Sequence, residues 1–267
     1  MTLSPRARLA LRLFTGLGLG AIYVPLVVVL INSFNVSQTF GWPPTGLTLR
    51  WWAAVWDNPG ARSAVLTSAR VGLAATGIAL VLGTMTAFAV QRYRWFGREV
   101  VGFLVVLPIA LPGIVTGIAL NSAFAARGIP LGYLSVIVGH ATFCIVVVHN
   151  NALARLRRMG TSLEEASADL GADIFQTFAL VTFPQLWSAL LAGGLLAFAL
   201  SFDEVVVTTF TTPPGLQTLP LWIFDNLFRP NQAPVVNVVA AVLIVMSVVP
   251  IWVSQRLSGE PTTGGRM

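Results

Sequence analysis

A chain of 267 residues, 55% of them hydrophobic and 10% charged, with a mean hydropathy of +0.79, is too poor in charge for a soluble domain, where about a quarter of residues are charged. It reads as an integral membrane protein built as a single transmembrane domain over 1–267. The net charge of +6 would suggest nucleic acid in a soluble protein, but arginines flanking membrane spans explain it here and no nucleic-acid partner is expected. All sixteen basic residues are arginine, which excludes a standard phosphate-binding loop with its obligatory lysine.

Six stretches are long and apolar enough for a helix of about 20 residues to cross a bilayer: near 13–32, 71–91, 100–126, 131–150, 185–210 and 235–254. The expected fold class is therefore all-α, a polytopic bundle of six transmembrane helices. The first stretch follows Arg6, Arg8 and Arg12. It is longer than a signal-peptide core and lacks a small-residue cleavage site, so it is expected to be retained. Next comes a loop, 33–62, carrying Trp42, Trp51, Trp52 and Trp56 among Gly and Pro. Tryptophans at this depth serve as headgroup anchors, or here as a dock for an external protein. The third stretch holds Pro108 and Pro112, which together remove two ladder hydrogen bonds and predict a kink or interruption. His140 and His149 in the fourth lie on opposite helix faces and read as buried, hydrogen-bonded side chains instead of metal ligands. The single Cys144 excludes an internal disulfide.

Eleven arginines fall on one side of this arrangement, including Arg92, Arg94, Arg98, Arg155, Arg157, Arg158, Arg256 and Arg266, and five on the other. The positive-inside rule then places both termini in the cytoplasm, together with the polar segment 151–184. Within that segment Ser162 with Glu165, and Asp173 with Gln176, form two potential capping boxes. Gly171 between them suits a left-handed turn. Leu163, Ala166, Leu170, Ile174, Phe178 and Val181 recur at helical spacing and share one face if the register survives the turn. The expected product is a helix–turn–helix against the inner membrane face, with Glu164 and Asp169 open to solvent. An ordinary solvated amphipathic loop, in which Glu165 only caps a helix, is the plainer account.

The fifth stretch contains Asp203 and Glu204 with no other charge between Ile174 and Phe224. Carboxylates in hydrocarbon are costly and face a bundle interior or wet cavity. Two readings stand: a cation path lined by Asp203, Glu204 or both, and an interhelical ion pair that fixes packing.

From Glu165 the chain runs Glu-Ala-Ser-Ala-Asp-Leu-Gly171, and then Val181-Thr-Phe-Pro184. This resembles the EAA loop of ABC importer permeases: Glu-Ala-Ala, three residues, Gly, nine residues, Ile-x-Leu-Pro. The departures are Ser167, Val181 and Phe183. Leu107-Pro-Ile-Ala-Leu-Pro-Gly113 and Leu200-Ser-Phe-Asp-Glu through Leu219-Pro220 are similar to the polyamine (spermidine/putrescine) branch, and to the shorter of its two permease subunits. The resemblance implies a type I importer permease fold at a bacterial inner membrane. It also implies a coupling loop in which Glu164, Glu165, Ala166, Asp169, Leu170, Gly171 and Ala172 meet an ATPase. The implied partners are a second homologous permease, two ATP-binding subunits that hold ATP and Mg, an extracytoplasmic solute-binding protein and membrane lipid. No catalytic residue, metal site or cofactor of its own is expected. Related branches carry phosphonates, opines, thiamine or ferric iron, so the solute stays open. A secondary transporter using Asp203 and Glu204 as a proton relay is the rival class.

Overall fold

The computed structural model describes residues 4–38, 42–229 and 232–257; Arg266 lies outside them. Among these residues the chain is helical, and its one extended contact is an isolated antiparallel bridge between Asn35 and Leu47. The helices run α1 (Pro5–Asn32), α2 (Arg50–Trp56), α3 (Pro59–Arg92), α4 (Arg98–Ala110), α5 (Gly113–Ala126), α6 (Tyr133–Arg158), α7 (Ser162–Asp169) and α8 (Ile174–Thr177). A π-helical turn, Phe178–Thr182, leads into α9 (Phe183–Phe202), followed by α10 (Val206–Thr211), α11 (Leu219–Asn226) and α12 (Ala233–Leu257). Four of these runs are long and apolar enough to cross a membrane: α1, α3, α6 and the continuous run Ile174–Phe202. The α4–α5 pair makes a fifth if its two arms, bent by 107°, count as one span.

The chain forms two compact units. The first comprises 1–62 with 223–245. In it α1 starts at Ser4, whose hydroxyl accepts the Ala7 N–H at 3.3 Å, with Pro5 at the first helical position, where a missing N–H costs nothing. Its apolar side chains stay exposed; Phe14 and Leu17 are 75% and 70% accessible. Asn35 organises the loop after α1. Its Oδ1 accepts the N–H groups of Ser37 (3.1 Å) and Thr45 (3.3 Å), while its carbonyl accepts Trp51 Nε1–H at 2.9 Å. Trp52 stacks on Phe34 at 5.3 Å, whereas Trp42 and Trp56 are exposed. The tryptophan cluster is thus half structural and half surface.

The second unit, 63–222 with 246–267, is built around α6. Its faces bury Val136, His140, Cys144, Val148, Ala152 and Leu156, and α9 packs along it through Leu186, Leu190 and Ala197. Close approach of α3 to α6 depends on Gly83. A Cβ there would lie 2.9 Å from the Ile145 carbonyl oxygen and 3.0 Å from His149 N, both rigid backbone atoms. The interruption expected from the two prolines falls at Leu111, in an extended conformation (φ −82, ψ 146), because a residue preceding proline is driven out of the α region. Pro108 remains inside α4. At the other end α6 continues past the expected position 150 to Arg158, with Arg155, Arg157 and Arg158 in its last turn, where positive charge suits the helix C-terminus. Arg155 Nε also donates to the Gln185 carbonyl at 2.9 Å, tying α6 to the start of α9.

Candidate functional site

Two features of the second unit carry the sequence-predicted site residues. One is the acidic pair. Sequence reasoning put Asp203 and Glu204 within a continuous helix, but α9 ends at Phe202. Asp203 caps it through an N–H bond to the Ala199 carbonyl at 3.2 Å, and α10 restarts only at Val206. The run Val205-Val206-Val207-Thr208-Thr209 is β-branched throughout, which lowers helix propensity at the restart. The Glu204 carboxylate itself accepts the Val207 N–H at 2.8 Å, satisfying one of the orphan donors of the first turn of α10. The two acids therefore differ in position. Asp203 is exposed, while Glu204 is half-buried and lines a cavity of about 130 Å³ with Pro108, Gly113, Thr116 and Val207.

That cavity brings the α9–α10 break against the α4–α5 bend. Asn121 Nδ2 donates to the Phe210 carbonyl at 2.6 Å, fastening α5 to α10. His140 holds the break from the α6 side, with Nδ1 2.7 Å from Ser201 Oγ and Nε2 2.8 Å from Thr208 Oγ1. His149 Nδ1 lies 3.0 Å from Thr86 Oγ1 on α3. Both histidines are buried and hydrogen-bonded, as the sequence predicts, and among the described residues no group of three or more His, Cys, Asp or Glu could hold a metal ion.

The other feature is the hairpin α7–turn–α8. Its second half forms as read: Asp173 and Gln176 make a reciprocal capping box with bonds of 3.0 and 2.8 Å, and Gly171 takes φ +88 at the turn. The first half differs. Thr161, not Ser162, is the N-cap of α7, already near helical angles (φ −89, ψ −11) and without a side-chain capping bond. The Ser162–Glu165 box requires an extended cap residue and does not form. Helical register is also lost at Gly171, so the expected apolar stripe splits. Leu163, Leu170 and Ile174 are 56%, 90% and 74% exposed, while Phe178 packs edge-on against Phe88 at 5.6 Å. Glu165, Ala166, Asp169, Leu170 and Gly171 all lie on the exposed surface, with Ala172 partly covered.

Glu164 departs most from expectation. Instead of facing solvent it turns inward to Arg92 at the end of α3. The guanidinium Nη2 donates to Oε1 at 3.1 Å, and Nε lies 3.1 Å from Oε2. The hydroxyl of Thr182, in the π-helical turn, donates to the same Oε1 at 3.2 Å. The sequence registered Arg92 only as a topology charge and assigned Thr182 no role.

The arrangement of helices is shared with solved structures. A chain in the crystal structure of a bacterial ABC transporter involved in the import of the acidic polysaccharide alginate superimposes with a TM-score of 0.70, covering 98% of this chain and 100% of that one. At 18% identity the fold alone is shared. Sequence likeness goes further: residues 79–259 match the family model for the binding-protein-dependent transport system inner membrane component. The chain belongs to this family. The permease is 33% identical over 243 residues, 91% of each chain, to the spermidine/putrescine transport system permease protein PotC of Escherichia coli (strain K12). It is 32% identical over 236 residues to the putrescine transport system permease protein PotI of the same strain, covering 85% of this chain and 83% of that one. The permease is accordingly an inner-membrane transport component, not an enzyme, with the helical fold of ABC importer permeases.

Proposed function

We propose that this permease forms half of the translocation path of a type I ATP-driven importer for a small cationic solute, a polyamine such as putrescine or spermidine. It spans the bacterial plasma membrane six times with both termini in the cytoplasm. A second homologous permease completes the path, an extracytoplasmic solute-binding protein delivers the solute, and two ATP-binding subunits hold ATP and Mg. The observation that carries the reading is the exposed hairpin surface of Glu165, Ala166, Asp169, Leu170 and Gly171: apolar tips and carboxylates on a short element suited to a soluble partner. The polyamine assignment draws on the relatives named for spermidine and putrescine and on Asp203. An ammonium group is balanced by an accessible carboxylate, whereas a route for an anion would present arginines or helix N-termini.

ATP binding draws the two ATPases together and carries the segment Glu164–Ala172 with them. The bundle α3 to α10 rocks, and the path turns outward to receive solute; hydrolysis resets it. The bend at Leu111 and the break at Asp203–Val205 are the natural flexure points, because neither carries a continuous ladder of helical hydrogen bonds. Affinity capture of the permease from membranes holding the complete transporter tests the docking claim. The ATP-binding subunit copurifies with the native permease and is lost with Leu170→Asp; retention in both refutes the hairpin as the dock.

A further inference from the structure

The contact of Glu164 with Arg92 and Thr182 has a consequence beyond docking. One carboxylate joins three elements: the last residue of α3, the first turn of α7, and the π-helical turn that opens into α9. Each charge sits where the helix dipole favours it, the arginine at a C-terminus and the glutamate in a first turn. The two side chains are only 11% and 20% exposed, so solvent screens the pair less than a surface salt bridge. One charge-assisted hydrogen bond, from Nη2, and the close approach of Nε to the second oxygen hold the pair together. Thr182 is itself 2% exposed and also reaches the Thr177 carbonyl at 3.4 Å. Ser167 Oγ lies 3.1 Å from Thr177 Oγ1, linking α7 to α8 as well.

We infer that Arg92 and Glu164 are positioning residues that form the mechanical joint of the permease, transmitting displacement of the α7–α8 hairpin to α3 and, through Thr182, to α9. Glu164 is thus an internal strut and not a contact for the ATPase. This rests on the proposed coupling role of the hairpin and adds the route by which movement leaves it. A hairpin docked on its partner but unlinked from α3 would follow the ATPase without dragging the spans. ATP would then be hydrolysed with less solute moved.

The test uses the complete transporter in proteoliposomes with its solute-binding protein, measuring labelled putrescine taken up per ATP hydrolysed for Glu164→Gln, Arg92→Ala and the exchange Arg92→Glu with Glu164→Arg. Copurification of the ATP-binding subunit and the thermal melt of each complex are recorded alongside. The single variants are expected to keep the ATPase bound and hydrolysing while the uptake-to-hydrolysis ratio falls by about fivefold or more, the lower range of a coupling interaction between sites. The exchange, which restores an opposite-charge pair, should recover at least half of the native ratio. Single variants with a native ratio overturn the inference, as does an exchange coupled no better than they are. Loss of the ATPase from Glu164→Gln overturns it too, since Glu164 would then be a partner contact. Failure of the underlying docking reading shows separately, as ATPase retained by Leu170→Asp.

Discussion

The two adjacent acids should separate cleanly under substitution, because their side chains do different work. Asp203 is exposed at the end of α9, while Glu204 spends one oxygen on the Val207 N–H at 2.8 Å. Asp203→Asn removes a charge and little structure. An ammonium about 4 Å from a carboxylate gains about 4 kcal/mol at an effective dielectric of about 20. Discounted to a quarter or a half for exposure, about 1–2 kcal/mol remains, a five- to thirtyfold rise in the KM for uptake. Glu204→Gln keeps an oxygen able to accept the same N–H, so it isolates charge from capping; Glu204→Ala removes both. The lost cap should cost about 0.5–2 kcal/mol of stability, seen as a lower thermal midpoint for the Ala variant alone. The assays are uptake of labelled putrescine by the reconstituted transporter across a concentration series, and thermal unfolding of the purified complex. The expected order is a large KM effect for Asp203→Asn, a small one for Glu204→Gln, and a stability loss confined to Glu204→Ala. Equal uptake defects for Asp203→Asn and Glu204→Gln, with an unchanged melt for Glu204→Ala, would refute the division.

Gly83→Ala should destabilise the permease by about 1–3 kcal/mol, as overpacking against fixed backbone does, while Gly77→Ala on the same helix, with open space around it, should be neutral or stabilising by up to about 1 kcal/mol. Matched thermal melts compare them, and a Gly83→Ala protein as stable as Gly77→Ala would contradict the α3–α6 packing. His140→Ala removes both hydrogen bonds that brace the α9–α10 break. At about 0.6 kcal/mol for each membrane hydrogen bond, plus the loss of a buried ring, it should lower the melting midpoint; an unchanged midpoint would deny His140 that role. Asp173→Ala should cost about 1 kcal/mol of local helix stability, measured as faster amide exchange over 174–177; unaltered exchange would count against the cap.

The parts of this molecule legible in the sequence are those set by local chemistry. Asp173 with Gln176 and Gly171 announce a capped helix after a left-handed turn, and the proline at 112 announces the bend one residue before it. The ion pair of Glu164 was not legible. Its partner lies 72 residues away, and an acid in a helix's first turn looks the same whether it faces solvent or a neighbouring helix. The break after Phe202 was hidden by apolar residues on both sides, which make one long hydrophobic stretch out of two helices. A signal for it was present: an acid followed at once by five β-branched residues is a capping residue with a weak helix start behind it. Lost register at Gly171 explains why the expected apolar stripe of the hairpin divides there, since periodicity carries no information across a positive φ.

The most direct measurement of the central claim is accumulation of labelled putrescine in proteoliposomes, with the permease reconstituted with and without its ATP-binding partners. Uptake is expected only when hydrolysable ATP, both ATP-binding subunits and the solute-binding protein are present, and it should be lost with Leu170→Asp. Uptake by the permease alone, driven by a proton gradient and indifferent to ATP, would contradict that claim.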